Sequence, residues 1–124
     1  MTKHLSVILV VGLAATDVGC GAHDFEKHFF FSEPPATRVE RSRKLSLEQQ
    51  YLVFRYGNDV IHPPLMDLAE PIADRGKEAV PFLLKQLQLD GRDISIRDIV
   101  WVFTLMALSR TYDVKSDPAI QDAK

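Results

Sequence analysis

The chain has 124 residues, 46% of them apolar and 26% charged, the composition of an ordinary globular domain. This length suits one domain and is short for two. Fifteen Lys and Arg against seventeen Asp and Glu give a net charge of −2, without the basic face that nucleic-acid binding needs, and the single cysteine excludes an intrachain disulfide or a multi-cysteine zinc module.

Residues 1–19 have the layout of a secretory signal peptide. Lys3 precedes Leu5–Ala15, in which only Ser6 and Gly12 are not apolar, and small residues follow. A bilayer-spanning helix needs about 20 apolar residues, and Asp17 ends this run sooner. The short apolar core leading into Gly19-Cys20 resembles a bacterial lipoprotein signal. That resemblance implies that Cys20 becomes the mature N-terminus and that its sulfur carries a diacylglyceryl group. Asp17 departs from the pattern, standing where such signals usually have leucine or another apolar residue. Ordinary processing would cut after Ala15, leaving Cys20 a lone thiol, or after Ala22, removing it. Every route implies export, to the periplasm or to a membrane-anchored place in the cell envelope.

Residues 20–45 read as a flexible linker. They lack sustained periodicity, and Pro34-Pro35 favours extended chain. A coil of this length spans on the order of 25–30 Å. Phe29-Phe30-Phe31 cannot share one face of a helix or strand, so these rings either fold back onto the domain or enter a lipid interface. Arg38, Arg41, Arg43 and Lys44 suit a solvated linker, partly offset by Glu33 and Glu40, or attraction to anionic lipid.

Residues 46–124 are expected to form an all-α domain of about four helices. Ser46-Leu-Glu-Gln49 is a capping box. Leu47, Tyr51 and Phe54 then fall on one helix face, and Gly57 is a natural C-terminal stop. Leu65, Leu68, Ala69 and Ile72 form the next stripe, which Pro71 should kink or break and Gly76 should close. A third helix begins near Pro81, buries Val80, Leu83, Leu84 and Leu87, and ends at Asp90-Gly91. Asp93 or Ser95 caps the fourth.

Pro81 opening a leucine-lined helix, Asp90 in the turn and Ile96-Arg97 at the start of the next helix together resemble one HEAT repeat over residues 79–108. The resemblance implies structural roles for Pro81, Asp90 and Arg97, and a domain that presents a binding surface. Residues 46–124 would then be short HEAT-like hairpins or a small helical bundle.

The fourth helix is the most informative. Ile99–Leu108 contains one polar residue, Thr104. A helix apolar around its whole circumference must be covered on all sides. Asp117-Pro118 opens a further short helix, yet six residues are too few for a stable isolated one. Either that tail docks as a cap, or Trp101, Phe103, Leu105 and Leu108 meet another protein or a second copy.

Residues with reactive side chains give little support for catalysis. Cys20, His23, Asp24, Glu26 and His28 are types that zinc or copper accepts, but their spacing is irregular. His62 precedes two prolines and suits a turn contact. Asp67, Glu70 and Asp74 share a helix face, as paired acid–base carboxylates or a solvated acidic surface would. No triad arrangement or phosphate-cradling glycine loop is present. The expectation is a non-enzymatic, exported protein-interaction module without a cofactor. The alternatives are an envelope metal protein or enzyme, and a carrier of a small ligand or lipid.

Overall fold

The computed structural model describes residues 24–32, 34–61 and 63–123. The protein is all-α, with no strand among the described residues. Its helices are α1 (Asp24–Ser32), α2 (Arg38–Arg43), α3 (Leu47–Val60), α4 (Glu70–Ala73), α5 (Val80–Leu89), α6 (Asp93–Ser109) and α7 (Pro118–Asp122). Seven described helices replace the expected four or so. The signal segment 1–19, Cys20, His23 and His62 lie outside the described residues.

Within the expected linker 20–45, the described residues instead form α1 and α2, which pack against α3 and α4. Pro34-Pro35 does interrupt the helix, but the chain turns at a 3₁₀ segment, Pro35–Thr37, and re-enters helix. α1 turns Glu26, Phe29 and Phe30 inward. The Phe30 ring meets Tyr56 and Phe29, each at 5.5 Å between centroids. It lies against Gly57, where a Cβ would come within 2.8 Å of it. Gly57 therefore does not end α3, which continues to Val60; its missing side chain instead admits α1. Arg38 then ties the turn down, donating to the Phe30 carbonyl at 2.9 Å and lying over the Phe30 ring.

The capping box at Ser46 forms as expected, with Ser46 and Gln49 each accepting from the other's backbone N–H at 3.2 Å. The stripe around Pro71 becomes two short pieces, a 3₁₀ turn over Met66–Ala69 and the single-turn α4. Proline has no N–H for the carbonyl of Asp67, so a continuous helix would lose that bond. Gly76 adopts a left-handed φ of 55°, and a Cβ there would lie 2.8 Å from the Thr111 carbonyl oxygen. Here the exit of α6 crosses the turn before α5. Thr111 also donates to the Ala73 carbonyl at 3.0 Å.

α6 forms one long side of the core. Ile99, Val102 and Met106 are fully buried, against α4, α5 and the turn before α4. Of the two expected caps, Asp93 is the first residue of α6 and Ser95 is buried inside it with Asp98; the N-cap position falls to Arg92, which makes no side-chain cap bond. Asp90, at the end of α5, supplies the turn's bonds instead. It accepts from the Arg92 backbone at 3.2 Å, the Arg92 guanidinium at 2.8 Å and the Ser95 hydroxyl at 2.7 Å. These donors, the Arg92 guanidinium first, hold the Asp90 carboxyl well below the usual carboxylate range.

Arg55 of α3 reaches into this junction. Its guanidinium lies 3.3 Å from Asp98, 3.4 Å from Asp90 and 3.1 Å from the Tyr51 hydroxyl. Asp98, wholly buried, also accepts from Arg97 at 2.7 Å. Removing one partner of a buried pair is costly because the other charge stays desolvated.

Two outcomes follow for chemical denaturation of the full chain. Phe30→Ala should lower stability by about 3–5 kcal/mol, whereas Phe31→Ala, at an 83% exposed ring, should change it by less than about 0.5 kcal/mol; equal effects would mean that α1 is not part of the core. Arg55→Met should cost on the order of 3 kcal/mol, and a change near zero would deny the junction its role.

Candidate interaction groove

A groove of about 860 Å³ runs between α6 and the C-terminal segment. Its α6 side carries Ile96, Val100, Thr104 and Leu108, spaced four residues apart and so aligned in one row along the helix. Val100 is 52% exposed and Leu108 73%. Phe103 lies deeper and is nearly sealed, and Leu87 of α5 also lines the groove. At about 1.5 Å per residue the row from Ile96 to Leu108 is roughly 18 Å long.

The other wall is built by the tail, which does dock as a short cap. Val114 and Ile120 are buried and line the groove. Asp117 caps α7, accepting from the Ala119 N–H at 2.8 Å and the Ile120 N–H at 3.4 Å. The Tyr112 hydroxyl donates to Asp117 at 2.6 Å, and Gln121 donates to the Val114 carbonyl at 3.1 Å. These bonds hold five residues of helix that would not persist alone. The Tyr112 hydroxyl, with the two backbone donors, lowers the Asp117 pKa, and the Ser116 hydroxyl lowers that of Asp113.

The polar lining is asymmetric. Arg110 and Lys115 line the groove with no ion pair among the described residues, while Asp113 is occupied by Ser116 at 2.7 Å. Arg110 ends α6 in the left-handed region at φ 56°, the only such non-glycine among the described residues. An L-residue there costs about 1–2 kcal/mol where glycine would cost little. The cation is favoured at a helix C-terminus, and it stands beside the groove.

The structure separates the four expected interface residues. Leu108 lines the groove exposed and Phe103 lines it almost buried; Trp101 is exposed outside it and Leu105 is half-buried outside it. Ile96 and Val100 were not among those four, although their i, i+4 alignment with Leu108 is visible in the sequence. Of the repeat residues, Pro81 is exposed in the first turn of α5, Asp90 binds Arg92, Ser95 and Arg55, and Arg97 pairs with Asp98.

The other candidates do not converge. Among the described residues no three His, Cys, Asp or Glu side chains meet in metal-binding geometry. His28 lies exposed on α1, and Asp67 is exposed on its turn. Glu70 and Asp74 both pair with Arg43 of α2, Glu70 at 3.7 Å, so this acidic face serves to attach α2. No helix among the described residues is long and apolar enough to cross a membrane. No protein-family model, curated protein or solved structure matches the chain.

Acid should loosen the groove's C-terminal wall. A depressed carboxylate pKa contributes its stability above the unfolded value, near 3.9, and loses it as pH falls through the lower folded value. The Ala119 and Ile120 amide resonances should therefore move with a midpoint below about 3.9, and Asp117→Asn should abolish that transition. A midpoint at or above the ordinary value would mean that Asp117 does not hold the cap.

Proposed function

We propose that this protein is a non-enzymatic docking module of the bacterial cell envelope, exported by residues 1–19 and anchored through Cys20, whose α6 groove receives an acidic amphipathic helix of another protein. The observation that carries the reading is the row Ile96, Val100 and Leu108 left in water beside a groove whose Arg110 and Lys115 have no ion pair among the described residues. Such a row attracts an apolar helix face. A helix laid in a groove anchors through residues at i, i+3, i+4 and i+7, and about twelve residues match the groove's length of roughly 18 Å. The two cations favour a partner with carboxylates beside its apolar stripe. Each large side chain fully buried there would contribute about 1.5–3 kcal/mol.

The HEAT-like reading of residues 79–108 agrees with this use, since stacked helical hairpins commonly offer binding surfaces. Within the groove the apolar row takes the main contacts, while Trp101 lies at an adjoining surface and Phe103 supports the row from below.

The test is a photo-reactive side chain placed at Val100 or Leu108 of the full chain in its host cells. A discrete adduct with another envelope protein is expected from both positions and not from Glu48, exposed on α3. Arg110→Glu should weaken it severalfold. An adduct at twice the mass of the processed chain, a bound small molecule displaced by Val100→Glu, or equal labelling from Glu48 would each overturn the reading. Intact mass of the membrane-fraction protein checks the anchor: a start at Cys20 with added acyl mass is expected, and an unmodified start elsewhere removes it.

A further inference from the structure

We infer that the exposed face of α1 and α2 is a contact surface for anionic lipid, with Phe31 entering the bilayer interface and Lys27 and Lys44 meeting the headgroups. The surface shares no residue with the α6 groove and does not depend on the reading of that groove.

The starting point is the division of the three consecutive phenylalanines. Phe29 and Phe30 belong to the core, while Phe31 is 83% exposed. At 100° per residue it projects away from the buried sector of Glu26 and Phe30. The core has no use for this ring. Phe25 is also partly exposed, and it lines a cleft of about 420 Å³ with His28 and Ser32 of α1 and with Arg41, Lys44 and Leu45 beside or within α2.

Charge then selects the partner. Lys27, His28, Arg41 and Lys44 are exposed in this region, and Lys27 and Lys44 have no ion pair among the described residues. Among the described residues the opposing carboxylates are few. Glu26 is buried, Glu40 is engaged by Arg43 at 3.1 Å, and Asp24 is the exposed one on α1. Lys27 lies one turn before Phe31 on α1, and Lys44 lines the cleft beside Phe25 and Ser32; an exposed aromatic ring with such cations on the neighbouring surface matches an interface with apolar chains below and anionic headgroups above. Arg38 and Arg43, by contrast, are consumed within the fold by Phe30 and by the acidic residues of α2 and α4. The cationic run of the sequence is thus split between structural and outward-facing members.

The position along the chain agrees. Eight residues separate Ala15, the end of the apolar run, from Asp24, a reach of at most about 30 Å when extended. Any attachment of that run or of Cys20 to a bilayer keeps α1 within range of it, and the proposal does not require Cys20 to be acylated.

The experiment uses the full chain carrying Phe31→Trp and Trp101→Phe, which makes position 31 the sole tryptophan. It is mixed with vesicles of phosphatidylcholine alone or containing phosphatidylglycerol. Tryptophan emission should shift to the blue and be quenched by acyl-chain-brominated lipid only with the anionic vesicles, and salt should reverse the shift. Adding Lys27→Glu and Lys44→Glu should reduce binding at least about tenfold. Vesicle-bound protein whose tryptophan still emits as in water would mean that residues 1–23 alone hold the membrane, and would overturn the proposal. So would equal insertion into neutral vesicles, or no insertion into either.

Discussion

The contact between Arg55 and Asp98 sets the rotation of α6, and the outward face of the protein follows from that rotation. Asp98 is fully buried; its hydrogen bonds come from Arg97, and its inner oxygen lies 3.3 Å from the Arg55 guanidinium as an ion pair. Val102 and Met106, four and eight residues on, continue the same row into the core. The row of Ile96, Val100, Thr104 and Leu108 is displaced from it by two residues, about 200° around the helix. Once the carboxylate is committed to the Arg55 guanidinium, those aliphatics must face away. Turning α6 to bury them would expel Met106 and strand a charge, which costs more than the exposed methyl groups return. A buried ion pair adds little net stability compared with an apolar pair of the same shape. Its effect here is orientation.

The same junction joins the two halves of the core. Asp90 organises the turn between α5 and α6 and meets Arg55 from α3. On the other side, Gln50 receives Arg75 at 2.7 Å and donates to the Ser42 carbonyl at 3.0 Å, linking α3 to α2 and to the turn after α4. α3 is therefore the member to which α1, α2 and α4 attach, through polar contacts at both ends and apolar ones between. Short pieces such as α2, α4 and α7 would not be helical alone; each is held by a charged or capping side chain that another element supplies.

Much of this was readable from residue patterns. The capping box at Ser46, the stripe through Tyr51 and Phe54, the break at Pro71 and the stop at Asp90 are local effects, decided within a few residues. The excess of apolar side chains on α6 was also readable, but not which of them would stay in water. Gly57 does not act as a stop, because its use lies in a contact with Phe30, twenty-seven residues earlier. α1 and α2 were missed for a related reason. Nothing in their periodicity separates three phenylalanines that fold back from three that do not.

Residue pattern alone establishes the all-α class, the capped start of α3, the break at Pro71 and an α6 that is apolar around nearly its whole circumference. Helix formation and termination depend on neighbours within one or two turns, and those neighbours are explicit in the chain. Packing between distant elements decides that α1 and α2 attach to α3 and α4, that the tail becomes the wall of a groove, and that Val100 and Leu108 face outward while Phe103 does not. Those outcomes depend on which distant group reaches a buried carboxylate or fills a dent beside a glycine. Such meetings are properties of the folded surface rather than of any local stretch.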